Sequence, residues 1–233
     1  MFCYRQMGIL LIGLFPLLSL AQPFTIDPQS EALYQKALPY LQQAGDKLDA
    51  VPANTPTADA KEKQRAVVLI EAAGLLLRSA VPLLEQAAAL AHPVAQYRLA
   101  LIYLLVDSNG AASQKACPLI EQSLIHGFAP SALLASSWCS EFTQTAEYQA
   151  ALANMGASRP LYERYYPQPA VFFECRQQMP TGMGFLYGGS GDFQAEIYRL
   201  QGDSNRSQRR AFYEKAVAIN DCYKAKRRLA LRP

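Results

Sequence analysis

Ala37-Leu38-Pro39-Tyr40-Leu41-Gln42-Gln43-Ala44 returns as Ala80-Val81-Pro82-Leu83-Leu84-Glu85-Gln86-Ala87, and again as Ala116-Cys117-Pro118-Leu119-Ile120-Glu121-Gln122-Ser123. The offsets are 43 and 36 residues. Periods of this size belong to stacked helical hairpins, in which no unit buries its apolar face alone. The second offset continues without a gap, because Ala91–Tyr103 (AHPVAQYRLALIY) precedes Gly127–Cys139 (GFAPSALLASSWC) by the same 36 residues. A bundle of compositionally similar Ala/Leu helices is the plain alternative. The same proline ahead of the aliphatic pair in three places argues for repeats.

Outward from these phrases, the chain from Pro28 to Ala153 is rich in Ala, Leu and Gln and reads as helix. Asp27-Pro28 is a helix start, since the Asp oxygen accepts an orphan N–H and Pro occupies a position that needs no donor. Gly45 predicts a stop for a helix over Ala32–Ala44, and Val51–Ala60, with Pro52 and Pro56, reads as a loop.

The whole chain has 233 residues, 51% hydrophobic and 18% charged, with 22 basic against 19 acidic side chains. That composition folds, and excludes both a disordered and a collagen-like chain. Met7–Leu20 is an apolar stretch after Arg5, and Ser19-Leu20-Ala21 places small residues before Gln22, the layout of a signal peptide over residues 1–21. Cys3 precedes the apolar run, which argues against a lipid anchor. The exported chain then keeps Cys117, Cys139, Cys175 and Cys222, an even number that suggests two disulfides. No C-x-x-C spacing supports a metal site.

The run Ala95-Gln96-Tyr97-Arg98-Leu99-Ala100-Leu101-Ile102-Tyr103, with Lys115-Ala116 twelve residues on and Gly127 closing the next helix, resembles the Sel1-like repeat, a relative of the tetratricopeptide repeat. The best match covers residues 80–139. The loop departs from the family, with Val106, Ser108 and Ala112 at its usual Gly and Asp positions. The resemblance implies an all-α fold, a short α-solenoid of helical hairpins over 22–154, acting as a scaffold or adaptor between proteins. Tyr97, Tyr103 and Trp138 are the candidate anchors on its concave side, with a place in the core between hairpins as the alternative for all three. The 36-residue register also sets Cys117 and Cys139 equivalent to Val81 and Tyr103, at neighbouring ends of two antiparallel helices. It proposes a Cys117–Cys139 bond and leaves Cys175 to Cys222, with free buried thiols as the alternative.

Residues 155–205 change texture, with many Gly and Pro and the aromatics Tyr162, Tyr165, Tyr166, Phe172, Phe173, Phe185, Tyr187, Phe193 and Tyr198. Short helices are expected over Ala170–Gln178 and Phe193–Leu200, with loop elsewhere. The segment reads as a cap over the last hairpin, or as a peptide or glycan contact. From Asn205 there are nine basic and two acidic residues, +7, which leaves 12 basic and 17 acidic, −5, on the rest of the exported chain. Residues 206–233 therefore read as one amphipathic basic helix. Arg206, Arg209, Arg210, Lys224, Arg227 and Arg228 are its candidate contacts to an anionic lipid or lipopolysaccharide surface.

Tests for an enzyme find nothing to name. His92 and His126 read as helix-end residues, and Gly188-Gly189-Ser190-Gly191-Asp192 lacks the final Gly of G-x-S-x-G. Gly182-Met183-Gly184-Phe185-Leu186-Tyr187-Gly188 misses G-x-G-x-x-G by one place. Among Glu163, Glu174, Asp192 and Glu196 no pair is singled out. The expectation is a non-catalytic, exported, periplasmic or secreted protein without cofactor or metal, bound to another envelope protein and not to nucleic acid. A glycan-binding or glycan-cleaving site in 155–205 and membrane-surface binding through the basic end are the competing readings.

Overall fold

In the computed structural model, which describes residues 24–51, 59–106, 111–155, 160–177 and 184–231, the first helix begins at the expected cap. Asp27 accepts the Ser30 N–H at 2.8 Å and Pro28 opens α1 (Pro28–Asp49). The signal segment and its cleavage site lie outside the described residues. Asp59 and Glu62 form a reciprocal capping box at the start of α2 (Ala60–Ala89). There follow α3 (Pro93–Val106), α4 (Ala111–Ile125) and α5 (Pro130–Trp138), then the short α6 (Ser140–Thr143), α7 (Ala146–Ala153) and α8 (Pro160–Glu163). An antiparallel ribbon of β1 (Gln168–Ala170) and β2 (Leu186–Gly188) leads into α9 (Ser190–Ser204), α10 (Arg209–Asn220) and α11 (Tyr223–Ala230). Helix dominates, so the chain is all-α with one small ribbon.

Each of the first five helices packs on the next, and α9, α10 and α11 do the same at the other end. The repeated phrase explains why. Ala37, Ala80 and Ala116 are fully buried, Leu41, Leu84 and Ile120 follow four residues on, and Ala44, Ala87 and Ser123 complete each stripe at i+7. Pro39, Pro82 and Pro118 all face solvent, where water can satisfy the carbonyl that each ring deprives of an N–H. The copies at the 43-residue offset lie on α1 and α2, which pack against each other, so they are opposing faces of one hairpin. Only the 36-residue offset relates one hairpin to the next.

That offset is also written into the backbone. After α2, the Ala91 N–H donates to Ala88 O and the His92 N–H to Ala87 O; after α4, the Gly127 N–H donates to Leu124 O and the Phe128 N–H to Ser123 O. Both are Schellman turns, and their left-handed residues, Ala91 (φ 58°) and Gly127 (φ 89°), are 36 positions apart. Alanine is strained there and glycine is not. Ala91→Gly is expected to raise the urea midpoint, by about 1 kcal/mol of stability.

Four expectations need correction. Gly45 does not end α1, because it sits where a Cβ would come 3.0 Å from the Tyr187 hydroxyl, and the helix runs on to Asp49. The helix expected over Ala170–Gln178 is instead, as far as the described Gln177, the end of β1 and a turn. Pro169 can pair there only as an edge-strand residue, Phe173 turns into the core, and the Cys175 N–H is taken by Glu196. The helix expected over Phe193–Leu200 extends to Ser190–Ser204, opened by the Asp192 carboxylate on the Gly189 N–H at 2.9 Å. The basic end is two helices, broken at Asp221 (φ 62°), where the Tyr223 N–H donates to Cys175 O at 3.0 Å.

One large apolar cluster runs from Tyr34 to Leu200 and takes in Tyr162, Tyr165, Phe173 and Phe193 of the irregular segment, while Phe172 and Tyr187 stay exposed. A small second cluster, Cys175, Ala195, Tyr213, Ala216, Cys222 and Ala225, ties α9, α10 and α11 together.

Candidate functional site

The three candidate anchors meet different fates. Tyr97 is fully buried, its hydroxyl donates to Pro169 O, and its ring stacks edge-on with Phe128 at 5.4 Å; it is core. Tyr103 is half-buried and donates to Glu85 Oε1 at 2.9 Å, and burial together with that carboxylate pushes its pKa up to about 12. Trp138, at the end of α5, is 45% exposed.

Trp138 stands at the edge of an open cleft of about 440 Å³ between α4 and α6. The Cys117–Cys139 disulfide (Cα–Cα 5.6 Å) lies in its wall, and Pro118 and Phe142 add apolar surface. Glu121 and Glu141 supply carboxylates, and no basic side chain lines the cleft among the described residues. Burial, and then the charge of Glu147, hold the Glu121 carboxyl above its ordinary range. The cleft therefore offers an aromatic face, an apolar wall and uncompensated acceptors, a set suited to a cation-bearing segment with an apolar anchor. Glu121 lies inside the quoted phrase, but only the fold brings it near Trp138.

The second disulfide joins Cys175 to Cys222 with Cα–Cα 4.1 Å, so the pair that the repeat register proposed and the pair that it left over are both bonded. Disulfides of this kind persist in oxidising compartments.

The irregular segment closes over the helices. Tyr162 packs on Phe128 at 5.2 Å, Tyr166 on Phe193 at 5.8 Å and Phe173 on Phe193 at 5.0 Å. Its carboxylates are engaged separately: Glu174 with Lys224 at 2.9 Å, Asp192 with Arg176, and Glu196 with Arg199 at 2.6 Å. Glu163 is exposed on α8. Much of the basic end is likewise engaged within the chain: Arg209 donates to Gly202 O and Arg228 meets Asp203, while Arg210 pairs with Glu214 on the exposed side of α10 and Arg227 lies over the Tyr223 ring of its own helix. Arg206 alone of the six candidates has no such contact among the described residues.

Sequence reasoning missed one polar cluster. His92 is buried, and its Nδ1 caps α3 by accepting the Ala95 N–H at 3.3 Å while its Nε2 meets Glu31 at 3.1 Å. Tyr165 donates to the same Glu31 carboxylate, which Arg164 reaches at 3.2 Å. Burial opposes ionisation of Glu31, but the bonds from Tyr165, Gln35 and His92 outweigh it and lower its pKa. The cluster ties α1 to the start of α3 and to the cap. Burial lowers the His92 pKa against the pull of Glu31, and a neutral Nδ1 is what the cap requires. The unfolded chain takes up a proton as pH falls through about 6.5 and the folded chain only lower, so stability is full above that value and drains away below it. His92→Gln is expected to shrink the difference between urea midpoints at about pH 7.5 and pH 5. His126, whose pKa burial also lowers and which stacks on Phe24 at 4.2 Å, contributes a slope of the same sign.

No protein-family model, curated protein or solved structure matches this chain.

Proposed function

We propose that this chain is an exported, non-catalytic helical adaptor of the cell envelope, periplasmic in its working location, which holds a basic, apolar segment of a partner protein at Trp138. The observation that carries the reading is a half-exposed tryptophan beside a cleft with carboxylates and, among the described residues, no cation in its lining. Recurrence of one buried register and one helix-end turn at 36 residues supports a short solenoid similar to Sel1-like repeats, whose common work is scaffolding. Two disulfides support export. The closed aromatic cap and its separately paired carboxylates favour this reading over a glycan-cleaving site.

The test is affinity capture from a periplasmic extract with the wild-type chain, Trp138→Ala and Glu121→Gln/Glu141→Gln. A single stable partner is expected, weakened at least tenfold by Trp138→Ala and weakened less, in a salt-dependent way, by the double variant. A partner held equally by all three chains would place the contact elsewhere.

A further inference from the structure

The N-terminal half of α2 keeps one apolar face exposed, with no neighbour among the described residues. Val67, Val68 and Leu75 are 47%, 53% and 60% exposed, and Glu71 and Arg78 lie on the same side with no ionic partner among the described residues. A Cβ on Gly74 would meet nothing within 4 Å. The core-facing stripe, Ala73, Ala80 and Leu84, is on the other side of the helix.

We propose that this face joins two copies of the chain as an antiparallel, two-fold helix pair centred on the Gly74–Leu75 peptide. The sequence is self-complementary about that point. Glu71 lies three residues before Gly74 and Arg78 three residues after Leu75, so two-fold pairing sets each Glu71 opposite the other copy's Arg78. The same operation sets each Leu75 against the other copy's Gly74, a large side chain over the position with empty space, and each Val68 against the other copy's Val81. Two ion pairs then flank an apolar centre, and both carboxylate and guanidinium gain partners that the described residues of one chain do not give them.

A bilayer is the other medium this face could enter, because α2 is long and apolar enough to cross a membrane by length and composition. Glu71 and Arg78 sit in the middle of the apolar run, where hydrocarbon would penalise each of them. The partner helix α1 also turns Lys36, Gln43, Asp46 and Lys47 outward. A second copy satisfies what lipid would not.

The test is sedimentation equilibrium of the full exported chain at concentrations up to about 0.1 mM. A dimer is expected, with its dissociation constant raised at least tenfold by Glu71→Arg, raised similarly by Arg78→Glu, and restored to within about threefold in Glu71→Arg/Arg78→Glu. Leu75→Asp should give a monomer whose thermal midpoint equals that of the wild type at a concentration low enough for the wild type to be monomeric too, which separates loss of pairing from loss of fold. A monomeric wild-type chain, or a double variant no tighter than either single one, overturns the proposal. So does a monomer that floats with phosphatidylcholine vesicles, which would give the face to lipid.

Discussion

Arg199→Met is expected to destabilise the protein by about 3–5 kcal/mol, the cost of stranding one member of a buried ion pair. Glu196 is fully buried on α9; one of its oxygens takes the Cys175 N–H at 2.7 Å and the other the Arg199 Nε at 2.6 Å. Arg199 extends to Asp203 at 2.9 Å, and Asp203 accepts the Tyr213 hydroxyl at 2.7 Å, so the chain of bonds links α9 to α10. With the guanidinium gone, Glu196 keeps a single donor in a place water does not reach. Glu196→Leu/Arg199→Met should recover part of the loss, and only part, because the Cys175 N–H then lacks its acceptor. Arg210→Met removes an exposed pair with Glu214 at 2.9 Å and should cost no more than about 1 kcal/mol. Urea titrations of the three variants decide the matter, and an Arg199→Met midpoint no lower than that of Arg210→Met would refute it.

Loss of the Cys175–Cys222 bond in a double serine variant is expected to cost about 4 kcal/mol, from the loop entropy that a 47-residue closure removes from the unfolded chain. The Cys117–Cys139 bond closes 22 residues and should be worth slightly less, about 3.4 kcal/mol. The two losses should also differ in kind. Half of the six buried residues in the cluster that holds Cys222 are alanines, and α11 itself buries only Ala225 fully there, so little apolar area holds α11 once the bond is gone. Its amides should then exchange as if unfolded while α4 stays protected, since α4 keeps Ile120 and Leu124 in the main core. Equal loss of protection in both helices would show that α11 is held by packing and not by sulfur.

What the sequence made legible was local or periodic. The alanine and leucine positions of the quoted phrase carried their burial with them, Asp27-Pro28 marked a helix start, and the 36-residue register set Cys117 beside Cys139. What it hid was decided by distant chain. Gly45 carries a stop signal but answers to Tyr187, from far along the chain. Ala170–Gln178 has helix-tolerant residues, yet ribbon pairing and the bond to Cys222 claim it first. His92 looked like a helix-end residue and is one, but its second nitrogen is engaged by Glu31, 61 residues earlier. The cleft was half visible. An exposed tryptophan can be guessed, whereas the acidic lining around it exists only once α4 and α6 are placed.

The two sulfur bonds also make the polypeptide a string with two closed rings, residues 117–139 and 175–222. A protease that cuts once inside either ring produces no separate fragment. The nicked and intact molecules share one electrophoretic band until a thiol is added, and then come apart into pieces whose masses locate the cut. The stretch between the rings, and the chain on either side of them, has no such protection, so a single cut there divides the molecule into two covalently separate parts at once.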